Sequence, residues 1–243
     1  MTDVTQYDLW IGGNYQPPAT GAYFDNLNPL DDTPIASIAE AGEVDVNAAV
    51  EAAHSAFLSY RRSLAKEREL WLIRAADLLE KRSDRIVETL VDEGGSTISK
   101  ANFELGFAVG FLRAAAGVPR RITGEVIPSD APGRYGFSVR QPVGVVAGVI
   151  PFNVPLIKCV KQSAMALATG NSFVLLTSEE APLIGHILAE VYAEAGFPPG
   201  TYNVLTGFGH KIGDFLTGHP KVKSITFTGS TRVGQYIAGL AAR

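Results

Sequence analysis

Pro142-Val143-Gly144-Val145-Val146-Ala147-Gly148-Val149-Ile150-Pro151-Phe152-Asn153-Val154-Pro155 is the stretch on which the reading of this chain turns. A short apolar run that ends at Pro151 is too brief for a helix, and Pro155 then suits the first turn of one. The pair reads as a buried strand followed by a helix. Working outward, the pattern repeats: strand Gly144 to Ile150, helix Leu156 to Ala168, strand Ser172 to Leu176, helix Pro182 to Ala195, strand Thr201 to Leu205. Helix Lys211 to Leu216, strand Ser224 to Phe227 and helix Thr231 to Ala242 follow. Such alternation requires right-handed crossovers and predicts an α/β fold, a Rossmann-like parallel sheet with helices on both faces.

Ligands of such sheets sit outside the carboxyl ends of the strands. Each strand here ends in a polar or glycine-bearing turn: Pro151-Phe152-Asn153, Thr177-Ser178-Glu179, Thr206-Gly207 and Thr228-Gly229-Ser230. Turns of this kind on one rim are what a dinucleotide pocket requires. Gly207-Phe208-Gly209 with Gly213 imitates a Rossmann glycine fingerprint, but the spacing is G-x-G-x-x-x-G and no acidic residue closes the next strand. By itself it reads as a turn and a helix start.

Ahead of the sheet, Tyr7 to Tyr15 and Ala22 to Leu27 alternate around glycines and prolines and predict short strands or a hairpin. Glu43 to Tyr60 places Val46, Ala49, Val50, Ala53 and Phe57 at helical spacing, so it buries one stripe. Leu64 to Leu79, Ser83 to Val91 and Ser96 to Ala116 repeat the pattern. Phe103, Phe107 and Phe111, at i, i+4 spacing, read as core, and His54 and Trp71 as ordinary packing residues. Gly117 to Gly133 reads as a linker or exposed loop, and Tyr135 to Arg140 as a strand broken by Pro142. The organisation expected is residues 1–133 as N-terminal strands and helices, 134–142 as an oligomerisation-type strand, and 143–243 as the dinucleotide-binding segment.

With 243 residues, 46% of them hydrophobic and 19% charged, the chain can bury a sizeable core. A net charge of -4 offers no footprint for nucleic acid. Arg61, Arg62, Lys66 and Arg68, interleaved with Glu67 and Glu69, read as a solvated helix face. No run reaches the length of a membrane span and the N-terminus lacks signal-peptide character, so the expected address is cytoplasmic, with no membrane partner. One cysteine, Cys159, allows no internal disulfide and no thiolate metal cage.

Taken together, Pro142 to Val146, Pro151 to Pro155, Ala166-Leu167-Ala168-Thr169-Gly170-Asn171, Ser178-Glu179 and Phe227-Thr228-Gly229-Ser230, in this order and spacing, resemble the NAD(P)-dependent aldehyde dehydrogenase superfamily. Gly95-Ser96-Thr97 with Lys100-Ala101, and Ile127-Pro128-Ser129-Asp130, are similar to the branch that oxidises benzaldehyde, vanillin or salicylaldehyde. The resemblance implies that Asn153 donates to the oxyanion formed when a thiol attacks the aldehyde, a role worth about 3 to 4 kcal/mol at the transition state. It implies that Ile150, Pro151 and Phe152 line the pocket and that Glu179 faces the adenosine ribose. It places Gly209, Gly229 and Gly234 along the cofactor and Ser230 at the pyrophosphate, on a helix N-terminus. Ser230 read by itself is a plain N-cap.

Three departures accompany the match. Leu176 stands where the family writes the lysine that bonds the adenosine ribose, a loss worth about 1.5 to 3 kcal/mol, so weakened binding of NAD or NADP is expected. The segments expected to bring a nucleophilic cysteine and a general-base glutamate lie beyond Arg243, and Cys159 falls inside a helix, as a buried or half-buried thiol. The expected next strand is also missing, which predicts an unpaired edge beside Ser224 to Thr228 and self-association or a partner chain. Two functional readings stay open: the cofactor-binding half of an aldehyde dehydrogenase, inactive alone, or a truncated non-catalytic homologue serving as an interaction or oligomerisation module.

Overall fold

A computed structural model of the chain describes residues 4–242; Met1 to Asp3 and Arg243, the ends of the expected first and last segments, lie outside the described residues. The elements run β1 (Gln6–Tyr7), β2 (Leu9–Ile11), β3 (Asn14–Gln16), β4 (Tyr23–Leu27), β5 (Pro34–Ala39), α1 (Glu43–Tyr60), α2 (Ala65–Lys81), α3 (Ser83–Asp92) and α4 (Ile98–Ala116). A 3-10 turn (Pro119–Arg121), β6 (Glu125–Ile127) and β7 (Gly136–Ser138) lead into the alternating half. That half comprises β8 (Val145–Val149), α5 (Pro155–Ala168), β9 (Ser172–Leu176), α6 (Leu183–Ala195), β10 (Tyr202–Leu205), α7 (Gly209–Thr217), β11 (Val222–Phe227) and α8 (Thr231–Ala241).

The main sheet has the order β11-β8-β9-β10-β2-β3. Its β11, β8, β9 and β10 are mutually parallel, as the alternating pattern predicts. The sheet is nonetheless mixed, because β2 pairs antiparallel with β10 and β3 antiparallel with β2. Of the expected Tyr7 to Tyr15, the part from Leu9 forms a hairpin closed by Gln16, while Tyr7 belongs to β1 of another sheet; the pairing of β2 with β10 is a long-range contact that local alternation does not encode. β5, which lies between β1 and β4 in a separate three-stranded sheet, escaped the sequence reading. Its Pro34 start disguises it as a loop.

Alternation along the parallel strands sends neighbouring residues to opposite faces. Val146, Phe173 and Leu175 pack with Leu72 and Leu79 of α2, Leu112 of α4, Leu156 of α5 and Leu188 of α6. Val145, Ala147, Val174, Leu176 and Leu205 face the other way, onto Val46, Ala49 and Val50 of α1 and Ile212 and Leu216 of α7. Helices therefore cover both faces. The helix ends follow local chemistry: Thr97 Oγ1 accepts from Lys100 N at the start of α4, Pro155 opens α5, and Gly196 closes α6 with φ 103°.

Three expectations need correction. Phe103 and Phe107 are exposed, not core, and Phe111 is only half-buried. The buried face of α4 is instead Ala101, Leu105, Ala108 and Leu112, whose small and branched side chains let the helix approach its neighbours and turn the aromatic stripe outward. The segment Gly117 to Gly133 is not featureless, because β6 lies inside it and pairs antiparallel with β7, and three residues are too few to show a period. Arg68 is not on a solvated face: Arg61, Arg62 and Lys66 are exposed, but Arg68 is buried.

Candidate functional site

A cavity of about 590 Å³ opens between α7 and α8 at the carboxyl ends of β8 and β9. Its floor is apolar, from Val149, Leu176 and Ile237, and its rim carries Glu179, Asp214 and Arg232. Its size falls within the usual range for small-molecule sites. Of the residues singled out by sequence, Leu176, Glu179 and Gly209 line this cavity together. Leu176 is almost fully buried, with its other side in the core against α1 and α7.

The remaining candidates lie near the carboxyl ends of β8 and β11, at the starts of α5 and α8, and do not line the cavity. Ile150 is held at the end of β8 by its N–H, which donates to Leu176 O at 3.3 Å. Pro151 follows, half-buried, and Phe152 and Asn153 are exposed in the turn that enters α5. Ser230 caps α8, its Oγ accepting from Val233 N at 3.4 Å. The N–H groups of the first turn before Val233 have no intrahelical acceptor and point out of the helix end. Gly229 and Gly234 share one steric reason for being glycine: a Cβ at 229 meets Phe227 Cζ at 2.5 Å and one at 234 meets the same ring at 3.2 Å. The ring of Phe227 thus occupies the space beside the turn.

Sequence reasoning found Gly209 on α7 but missed Asp214 and Thr217 of the same wall, and Gln162. The Gln162 amide donates to Val149 O at 3.3 Å and to Thr228 Oγ1 at 3.2 Å, tying α5 to the two strand ends that frame the rim. On α7, Asp214 Oδ2 accepts from the Tyr236 hydroxyl at 2.6 Å, which braces the two helices across the cavity. Neither contact has a local sequence signal, since each joins residues many positions apart.

Cys159 lies in α5 and is fully buried, and burial pushes its thiol well above the ordinary range, with Glu93 and Glu104 adding in the same direction. It is a neutral packing residue. The Ser96 and Lys100 pair that suggested a substrate class makes structural contacts: Lys100 Nζ donates to Ser96 Oγ and to buried Glu104 Oε1, both at 2.7 Å. Among the described residues, no cluster of His, Cys, Asp and Glu is arranged to hold a metal, and no helix is long and apolar enough to cross a membrane.

The family model for aldehyde dehydrogenases matches residues 15–243, nearly the whole chain. The chain belongs to the aldehyde dehydrogenase family. Within this family it is 39% identical to a vanillin dehydrogenase of Corynebacterium glutamicum over 233 residues, which cover 96% of this chain and 47% of that protein. It superposes with a TM-score of 0.95 on an NAD-dependent benzaldehyde dehydrogenase of Corynebacterium glutamicum, at 37% identity, covering 100% of this chain and 53% of the other. A salicylaldehyde dehydrogenase of Pseudomonas putida G7, solved with salicylaldehyde, gives a TM-score of 0.95 at 29% identity, covering 98% of this chain and 50% of the other. The chain spans about half the length of these aldehyde dehydrogenases, and the matched half has the α/β architecture of their N-terminal region.

Proposed function

We propose that this chain supplies the dinucleotide-binding half of an aldehyde dehydrogenase acting on an aldehyde of the aromatic class. The observation that carries the reading is the cavity between α7 and α8, whose lining brings together Leu176, Glu179 and Gly209, with Ser230 capping α8. The residues present fit the group. The apolar floor accepts a flat adenine ring, Glu179 at the rim accepts from ribose hydroxyls, and the free N–H groups that open α8 attract a pyrophosphate. Bound there, NAD or NADP supplies a hydride acceptor. Gly229, by lacking a side chain, leaves room for the Phe227 ring beside the turn.

One residue works against affinity. Leu176 leaves the cavity floor without a cation, so binding is weaker than in a relative with lysine at this place by about ten- to a hundredfold. Asn153, exposed at the start of α5, is the amide we assign to the carbonyl oxygen of the aldehyde, where a fixed donor stabilises developing negative charge. The only thiol of these 243 residues is sealed inside α5, so they carry no nucleophile for that carbonyl.

The test is formation of NADH or NADPH on mixing the chain with benzaldehyde and each dinucleotide. No turnover is expected from these residues alone. Turnover that survives Cys159→Ser would overturn the assignment, and turnover abolished by it would show that the helix opens to expose the thiol. A non-catalytic interaction role has one observation in its favour, the exposed apolar residues Val126, Tyr135 and Phe137 on the β6–β7 hairpin.

A further inference from the structure

Away from the cofactor cavity, a second cleft of about 470 Å³ lies where the α1–α2 turn meets the end of α5 and the irregular segment leading into β8. Arg61, Arg68 and Arg140 line it, with Gln141, Thr169 and Asn171, and no acidic residue does. Among the described residues no carboxylate pairs with any of the three arginines. The acids nearest in sequence are engaged elsewhere: Glu67 accepts from Leu64 N at 2.7 Å and Glu69 pairs with Arg120 at 2.5 Å.

Arg68 is the informative member. It is 9% exposed, and its Nε is sealed from water with no hydrogen-bond partner among the described residues. Its head is pressed against Gly170, where a Cβ would come within 2.4 Å of Nη1 and where φ is +84°, so the backbone there is shaped around the guanidinium. Two carbonyls near the end of α5 are already engaged: Leu167 O accepts from the Tyr60 hydroxyl and from Gly170 N, and Ala166 O from Asn171 N. The helix C-terminus contributes about half a negative charge, which leaves most of the three positive charges unbalanced. A buried cation without a partner is costly, and an anion entering from the cleft removes that cost.

We propose that this cleft is a binding site for a small phosphate-class oxyanion, held in the forks of Arg68, Arg61 and Arg140. The planar guanidinium matches two oxygens of such an anion at once, and three positive charges suit a dianion better than a monocarboxylate. The site is separate from the cofactor cavity and shares no lining residue with it.

Calorimetric titration with inorganic phosphate, at constant ionic strength set with chloride, tests the assignment, with acetate as the monocarboxylate arm. The expected result is saturable binding of one phosphate per chain, tighter than acetate. It should weaken at least tenfold in the Arg61→Gln, Arg140→Gln double variant, about one charge-assisted bond's worth or more. Both substitutions are at exposed residues, so a thermal melt of the variant reports that it folds as the parent does. Arg68→Lys keeps the charge and loses the fork, and should also bind more weakly. Arg232→Gln removes the cation that lines the other cavity and should leave phosphate binding unchanged. No saturable binding, equal affinity in the double variant, or loss confined to Arg232→Gln would overturn the proposal.

Discussion

Leu176 sits at the meeting point of two environments, with one side in the core between the sheet and α1 and the other on the cavity floor. Replacing it with lysine keeps an aliphatic stem for the core and lets an ammonium reach the cavity beside Glu179. Leu176→Lys should therefore tighten dinucleotide binding by about ten- to a hundredfold, measured by calorimetry, and an unchanged affinity would mean that the cavity is not the cofactor site. Gly229 is constrained by Phe227, so Gly229→Ala should destabilise the fold by about 1 to 3 kcal/mol in chemical denaturation through overpacking alone. A melt indistinguishable from the parent would show that the ring moves aside freely. At this scale the sequence was legible wherever a residue type answers to a local backbone need, as at Ser230 and Pro155. It misled at Arg68, read as solvated, and at Phe103, read as core, because burial of one and exposure of the other are decided by which neighbouring helix comes close.

Helices and strands of the alternating half emerge within a residue or two of their expected limits, because each carries its own period and its own stop signal. Those that were missed, β5 and β6, are held by partners rather than by pattern. Glu93 illustrates how elements are joined beyond pattern. At the end of α3, its Oε1 accepts from Asn26 Nδ2 of β4 at 2.8 Å and from Leu183 N at the start of α6 at 2.6 Å. Burial outweighs these bonds and raises its carboxyl from 4.5 to about 8. Between those values the folded chain holds a proton that the unfolded chain has released, so this contribution is complete below 4.5 and is lost as pH rises through 8. Glu93→Gln, which keeps the acceptor, should flatten the decline in stability over that window, and a decline as steep as the parent's would place its cause elsewhere. His186 of α6 works in the opposite sense. It stacks on Tyr7 at 5.7 Å with both ring nitrogens unpartnered among the described residues, and burial lowers its pKa from 6.5 to about 4, although Glu190 and Asp8 oppose the shift. Its contribution is present above 6.5 and is lost as pH falls through about 4. His186→Phe should keep the stack and blunt the acid limb in a melting series, and an acid limb identical to the parent's would count against it.

Across the whole molecule, β11 is an edge strand paired only with β8 among the described residues, and α8 beside it buries Ile237 alone. The β6–β7 hairpin presents Tyr135, Phe137 and Val139 to solvent, at 79%, 69% and 72% exposure. An edge strand paired on one side among the described residues and a row of exposed apolar side chains suit strand addition, and we propose self-association as a closed two-fold dimer. Light scattering should show a mass that rises with concentration, and a compact monomer throughout a wide range would contradict this. The family and its architecture were legible because several short motifs recur in fixed order along the chain, whereas the second, arginine-lined cleft was not, since Arg61, Arg140 and Thr169 meet only in the folded chain. The central claim is that the space between α7 and α8 holds a dinucleotide. Calorimetric titration of the chain with NAD and with NADP tests it most directly: one dinucleotide bound per chain, weakly in the parent and more tightly in Leu176→Lys, is the result predicted, and the absence of binding heat for both dinucleotides in both proteins would contradict it.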